Sequence, residues 1–126
     1  MKLRIKDNSI RIRLNQTEAL SVARGESVMK NTVFSPVSSV SYSLVPWQLD
    51  VFNASFEGNN LTVNIPLSKT EHWMDSEETG FEFRQNNGEE GGLLIVVEKD
   101  FACLKPRDGE DESDHFPHPE EGKIKC

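Results

Sequence analysis

Lys2-Leu3-Arg4-Ile5-Lys6-Asp7-Asn8-Ser9-Ile10-Arg11-Ile12-Arg13-Leu14 alternates polar or charged with aliphatic residues on both sides of an Asp-Asn pair. Alternation at period two places one residue type on each face of a strand, and two turn residues between such runs read as a hairpin. In that register Ile5 faces Ile10 and Leu3 faces Ile12 on a core face. Arg4 faces Arg11 and Lys2 faces Arg13 on the other. The fold therefore starts from an antiparallel ribbon with one apolar and one strongly cationic side.

Outward from this ribbon, Asn15 and Glu18 form a capping box, and Gly25 supplies a left-handed stop. These signals predict a short helix over Gln16 to Arg24, with Leu20 and Ala23 or Arg24 on its packed side. Strands follow at Thr32 to Phe34 and Val40 to Leu44. Leu49 to Glu57 and Asn60 to Ile65 flank Gly58-Asn59, and a turn there sets Phe56 against Leu61, Ala54 against Val63 and Phe52 against Ile65. Ser68 and Glu71 make a second capping box for a short helix through His72, Trp73 and Met74. Thr79 to Gln85 alternates again, and Leu93-Leu94-Ile95-Val96-Val97 is continuously apolar, as for a strand covered on both faces at the centre of the fold. The element order is strand, strand, helix, four strands, helix, strand, strand. It predicts an α+β domain of mainly antiparallel strands with two short helices, curled or barrel-like, with a sandwich as the alternative.

The chain has 126 residues, enough for one domain. We expect a strand-rich domain over residues 1–104 and an acidic, Pro-containing tail over 105–126, where seven acids and three prolines replace apolar residues. Trp47 and the phenylalanines read as core or core-edge residues, and His72 as exposed or helix-packed rather than a general base. The formal charge is −7, which disfavours nucleic acid and anionic membrane as partners. No stretch is long and apolar enough to span a membrane, and the opening alternation is unlike a signal peptide, so a cytoplasmic location is expected.

The charge is segregated. Residues 1–14 hold five cations against Asp7, a net +4, so residues 15–126 total −11. Like charges opposite one another on paired strands repel. Lys2, Arg4, Arg11 and Arg13 are therefore the candidate anion site, for which guanidinium is suited. The competing reading is that this face is solvated or neutralised by Glu82, Glu98 or Asp100. No nucleophile elbow, phosphate loop or EF-hand spacing is present, so no catalytic residue is assigned. Cys103, His115, His118 and Cys126, spaced C-x11-H-x2-H-x7-C, have the number and softness for tetrahedral Zn²⁺ but lack a C-x2-C knuckle. No other cofactor is expected.

A curled domain with charged residues inside resembles the triphosphate-tunnel phosphohydrolases. The alternating glutamates that hold their metal are replaced here by Lys2, Arg4 and Lys6, so their activity is not carried over. The segments Lys2 to Leu14 and Val97-Glu98-Lys99-Asp100-Phe101-Ala102-Cys103-Leu104, with the acidic Pro-rich tail, resemble a family of small uncharacterised bacterial, Bacteroidetes-like proteins, a domain of unknown function. That resemblance covers the whole length and implies no catalytic residues. The residues themselves point to a non-enzymatic binding domain for an anionic small molecule or acidic partner. The alternative is a metal-dependent hydrolase or transferase acting on a phosphorylated substrate, with Glu82, Glu98 or Asp100 holding the metal.

Overall fold

The structure, a computed structural model, describes residues 1–101 and 113–117. Eight strands and two helices follow the expected order: β1 (Lys2–Lys6), β2 (Ser9–Leu14), α1 (Gln16–Ala23), β3 (Val28–Ser35), β4 (Ser38–Trp47), β5 (Asn53–Glu57), β6 (Asn60–Pro66), α2 (Leu67–Thr70), β7 (Gly80–Gln85) and β8 (Leu93–Lys99). They form two four-stranded sheets, A in the order β1-β2-β8-β7 and B in the order β3-β4-β6-β5. The domain is α+β and dominated by strands, as expected, but the sheets are not closed into a barrel, which corrects the barrel-like expectation. The reason lies in two pairings, β2 with β8 and β4 with β6, which are parallel. Neighbours in sequence therefore do not continue round a single antiparallel meander.

Both hairpins have the register that alternation dictates. Lys2 pairs with Arg13, Leu3 with Ile12, Arg4 with Arg11 and Ile5 with Ile10, and Asp7 turns the chain at a left-handed φ of 49°. Ala54 pairs with Val63 and Phe56 with Leu61 across Gly58-Asn59, whose φ values of 55° and 63° suit a type I′ turn. The β5 strand begins only at Asn53. Phe52 is nevertheless buried, while Phe56, at the far end of the strand, is exposed.

One core serves both sheets. Ile10, Ile12, Leu14, Ile95 and Val97 from sheet A meet Leu44, Ala54, Leu61, Val63 and Ile65 from sheet B, with Phe52 against Phe81 and Phe83. Two sheets with a common core lie nearer the sandwich alternative. Helix α1 starts on the expected capping box: Glu18 N–H donates to Asn15 Oδ1 at 2.9 Å and Asn15 N–H to Glu18 Oε1 at 3.1 Å. It buries Ala19 and Val22, not Leu20, which is exposed; the core is reached by the i, i+3 pair on the side of Leu14. Helix α2 departs further. It begins straight after Pro66, itself paired with Trp47, so Ser68 lies inside the helix and caps nothing. Trp73 is drawn into the core against Phe81.

A side chain completes the join between the sheets. Gln85, the last residue of β7, receives the Ala54 N–H on Oε1 and donates Nε2–H to Ala54 O, both at 2.8 Å. The carboxamide thus fills hydrogen-bonding positions on the edge strand β5. Ala54 is buried, so losing these bonds strands two polar groups away from water. Gln85→Met is expected to lower unfolding free energy by about 2 kcal/mol in urea denaturation, with slowed amide-exchange protection lost first at Ala54.

Candidate functional site

The strand registers carry a charged lattice on the outer face of sheet A. Across the sheet they align Lys2, Arg13, Glu98 and Gly80 in one row, Arg4, Arg11, Val96 and Glu82 in the next, and Lys6, Ser9, Leu94 and Arg84 in a third. Arg11 Nη1 and Arg13 Nε each donate to Glu98, at Oε2 and Oε1, both at 2.7 Å. Lys2 Nζ lies 3.0 Å from Asp100 Oδ2. Val96 is buried on this outer face and stands apart from the shared core. Its row-mate Arg11 and the neighbouring Arg13 are long enough to lay their methylene stems over it.

The cations expected to form an anion site are thus brought to one face, but three of the four have carboxylate partners. Arg4 does not: it is exposed, opposite Arg11, and without an ion pair or hydrogen bond among the described residues. Lys6 is in the same position at the next alternate site of β1, its side chain likewise without a partner among the described residues. Beyond Lys6 a shallow depression of about 370 Å³ is lined by Lys6, Asp7, Ser9, Arg84 and Glu90 among others. Its two cations are offset by two acids, and Arg84 is held on Gly91 O at 3.0 Å.

Of the carboxylates considered as metal ligands, Glu98 and Asp100 are engaged with cations, while Glu82 is exposed on β7. Among the described residues no three of His, Cys, Asp or Glu converge on one point. Of the zinc set, Cys103, His118 and Cys126 lie outside the described residues. His115 is placed: its Nε2 is 3.0 Å from Asp100 Oδ2, though out of line for a hydrogen bond, and Nδ1 is buried without a partner among the described residues. Its segment docks on the domain, with Phe116 N–H donating to Asp100 O and Gln16 N–H to Asp114 O, each at 2.9 Å. His72 is exposed. No helix among the described residues is long and apolar enough to cross a membrane.

A model for a family of unknown function (DUF7009) matches residues 1–120. The chain belongs to that family. No curated protein and no solved structure gives a match. The DUF7009 match takes in both sheets and the whole charged lattice, and also Cys103, His115 and His118, but ends before Cys126.

One charged group escaped sequence reasoning. Lys99 pairs with Leu14 in register and therefore faces the core, where it is only 6% exposed. Its Nζ donates to Ser76 O at 2.8 Å and sits over the rings of Trp73 and Phe116, 5.9 Å and 5.2 Å from their centroids. The signal was present, since Lys99 keeps the parity of Ile95 and Val97, but only the parallel pairing to Leu14 shows that the strand is still inside there. Burial pushes the Lys99 ammonium below its ordinary 10.5, against smaller opposing effects of Glu78 and Asp75.

Two outcomes follow from this geometry. Glu98→Gln leaves Arg11 and Arg13 uncompensated beside Lys2 and Arg4. Because the two arginines are 36% and 41% exposed, the loss is expected to be only about 1 kcal/mol, shrinking in molar salt; urea titrations at two ionic strengths measure it. For Lys99, the unfolded chain holds the proton more tightly than the folded one. Below 10.5 the stability of the native chain relative to Lys99→Met is therefore expected to rise with pH through the depressed folded pKa. Denaturation from neutral to alkaline pH reads the slope, and a flat or falling difference contradicts it.

Proposed function

We propose that this is a non-enzymatic binding domain whose partner is an extended acidic segment lying along β1. The observation that supports it most directly is the pair Arg4 and Lys6, exposed on an edge strand and without partners among the described residues, beside cations that have them. Among the described residues β1 pairs only with β2. In a two-residue hairpin the residues next to the turn share hydrogen bonds, so Lys6 and Arg4 bond inward while Leu3 and Ile5 turn their N–H and C=O groups to the free edge. A strand added there would place every second side chain on the outer face. Its acids would meet Lys2, Arg4 and Lys6 at the same spacing of roughly 7 Å that alternate residues of any strand have.

A small anion fits less well. The depression at the Lys6 end is open and carries Asp7 and Glu90 as well as its cations, so positive potential is spread along the strand instead of focused in a pocket. The same three cations that admit an acidic strand discourage a basic or identical one, which is how charge confers specificity at an edge.

Fluorescence anisotropy with a labelled peptide of alternating Glu and Val tests the reading. Binding is expected at low salt and to weaken steeply as salt rises. Arg4→Glu is expected to weaken it about tenfold or more, while the charge-matched Lys69→Glu in α2 leaves it near the native value. No binding at low salt, or equal loss in both variants, overturns the proposal. Displacement of the peptide by inorganic phosphate at equal concentration would return the ligand to the small anions.

A further inference from the structure

Two sheets have four edges, and three of them are occupied or guarded. β1 carries Lys2, Arg4 and Lys6. β7 carries Glu82 and Arg84 outward. β5 has the Gln85 carboxamide on its backbone. Natural sheets protect edges by short strands, charges or covers because an open edge pairs with other strands. β3 is the longest edge strand; of these devices it has one lysine and a bulge near its end, and no other strand or helix among the described residues covers its free edge. Met29, Val33, Phe34 and the adjoining Val37 are 67%, 67%, 69% and 95% exposed. Its single charge, Lys30, is half exposed and reaches back toward its own molecule, with Nζ 3.9 Å from Glu18 Oε2.

The order of residues along β3 says what fits it. From Val28 to Val33 the strand keeps a regular register with β4, and a bulge before Ser35 ends the regular stretch. Within it Asn31 is the centre of a self-complementary pattern. If β3 meets a second β3 antiparallel with Asn31 opposite Asn31, each Met29 lies opposite Val33 of the other copy on the outer face. Two apolar pairs then flank an amide pair able to hydrogen-bond to itself. Lys30 lies opposite Thr32, so no two lysines oppose one another. A molecule of net charge −7 repels its copy except across a surface with almost no charge, and the outer face of sheet B beside β3 is Ser41, Ser43, Asn60 and Thr62. A two-fold contact needs this kind of self-complementarity.

We propose that β3 pairs antiparallel with β3 of a second copy of this chain about a two-fold axis at Asn31, joining their two B sheets into one continuous sheet. The five residues from Met29 to Val33 give a shared ladder of about 17 Å. The β1 edge stays free in this assembly, so the contact is independent of the acidic segment proposed above.

The full chain in a Cys103→Ser, Cys126→Ser background tests both the assembly and its register. Light scattering behind size exclusion, at roughly 100 µM, is expected to give the dimer mass, and Val33→Lys to weaken dimerisation about tenfold or more with unchanged circular dichroism. Opposite residues in an antiparallel pair have Cα atoms about 4.5–5.5 Å apart, within disulfide reach. Under mild oxidation Asn31→Cys is therefore expected to cross-link with itself, Met29→Cys to cross-link only when mixed with Val33→Cys, and neither single outer position alone. A monomer at that concentration, a dimer unaffected by Val33→Lys, or equal self-cross-linking at Met29→Cys and Asn31→Cys each overturns the proposal.

Discussion

The parallel pairing of β2 with β8 is the contact on which the rest of the molecule depends. It joins strands more than eighty residues apart, from Ser9 opposite Leu94 to Leu14 opposite Lys99. With it in place Ile10, Ile12 and Leu14 become interior, Ile95 and Val97 complete the layer, and β7 has a strand to pair with. Long-range parallel pairs carry a large loop-closure entropy, so such a contact persists only if much apolar area is buried around it. The near-continuous apolar run Leu93 to Val97 supplies that area.

The same pairing settles the electrostatics. A hairpin with two pairs of opposed cations is repulsive by itself, and the carboxylates that relieve it arrive from β8. Glu98 falls opposite Arg13 and within reach of Arg11, and Asp100 falls beside Lys2. Relief is uneven along the strand. Two carboxylates serve Lys2, Arg11 and Arg13, and none among the described residues pairs with Arg4 or Lys6, where β8 presents Val96 and Leu94 in the same rows. An asymmetry that starts as a register fact thereby becomes a surface with an unspent positive charge at one end of an open edge.

Edges distinguish the two sheets. Sheet A ends in strands marked by charge, whereas sheet B is closed at β5 by a borrowed carboxamide and, among the described residues, unpaired at β3, where Met29, Val33 and Phe34 are exposed. The inward faces are alike and pool one core, but the outward faces differ in kind: ions on one, mostly hydroxyls and amides with Met29 and Val33 at the β3 edge on the other. A ligand of one charge class and a copy of the chain would therefore be sorted to opposite sides of the molecule by chemistry alone.

Local order was legible from residue types. Alternation gave both hairpin registers, Asn15 and Glu18 gave the start of α1, and Gly58-Asn59 gave a turn with two left-handed residues, because each depends on neighbours within a few positions. The misreadings share a cause. Leu20 is as apolar as Val22, yet the direction from which the sheet approaches α1 decided which one was buried. Ser68 has the spacing of a cap, yet Pro66 was still held in β6 and the helix had to begin beyond it. Lys99 is a surface residue type kept inside by its partner Leu14. By itself the sequence determined the strands, their faces and the cationic ribbon, since period-two patterning and turn chemistry act through adjacent residues. Only tertiary structure decided that two pairings run parallel, that Glu98 and Asp100 pair with Arg11, Arg13 and Lys2, and that Arg4 and Lys6 have no partner among the described residues. Those outcomes depend on which distant strands bury each other's apolar faces, and no local spacing encodes that choice.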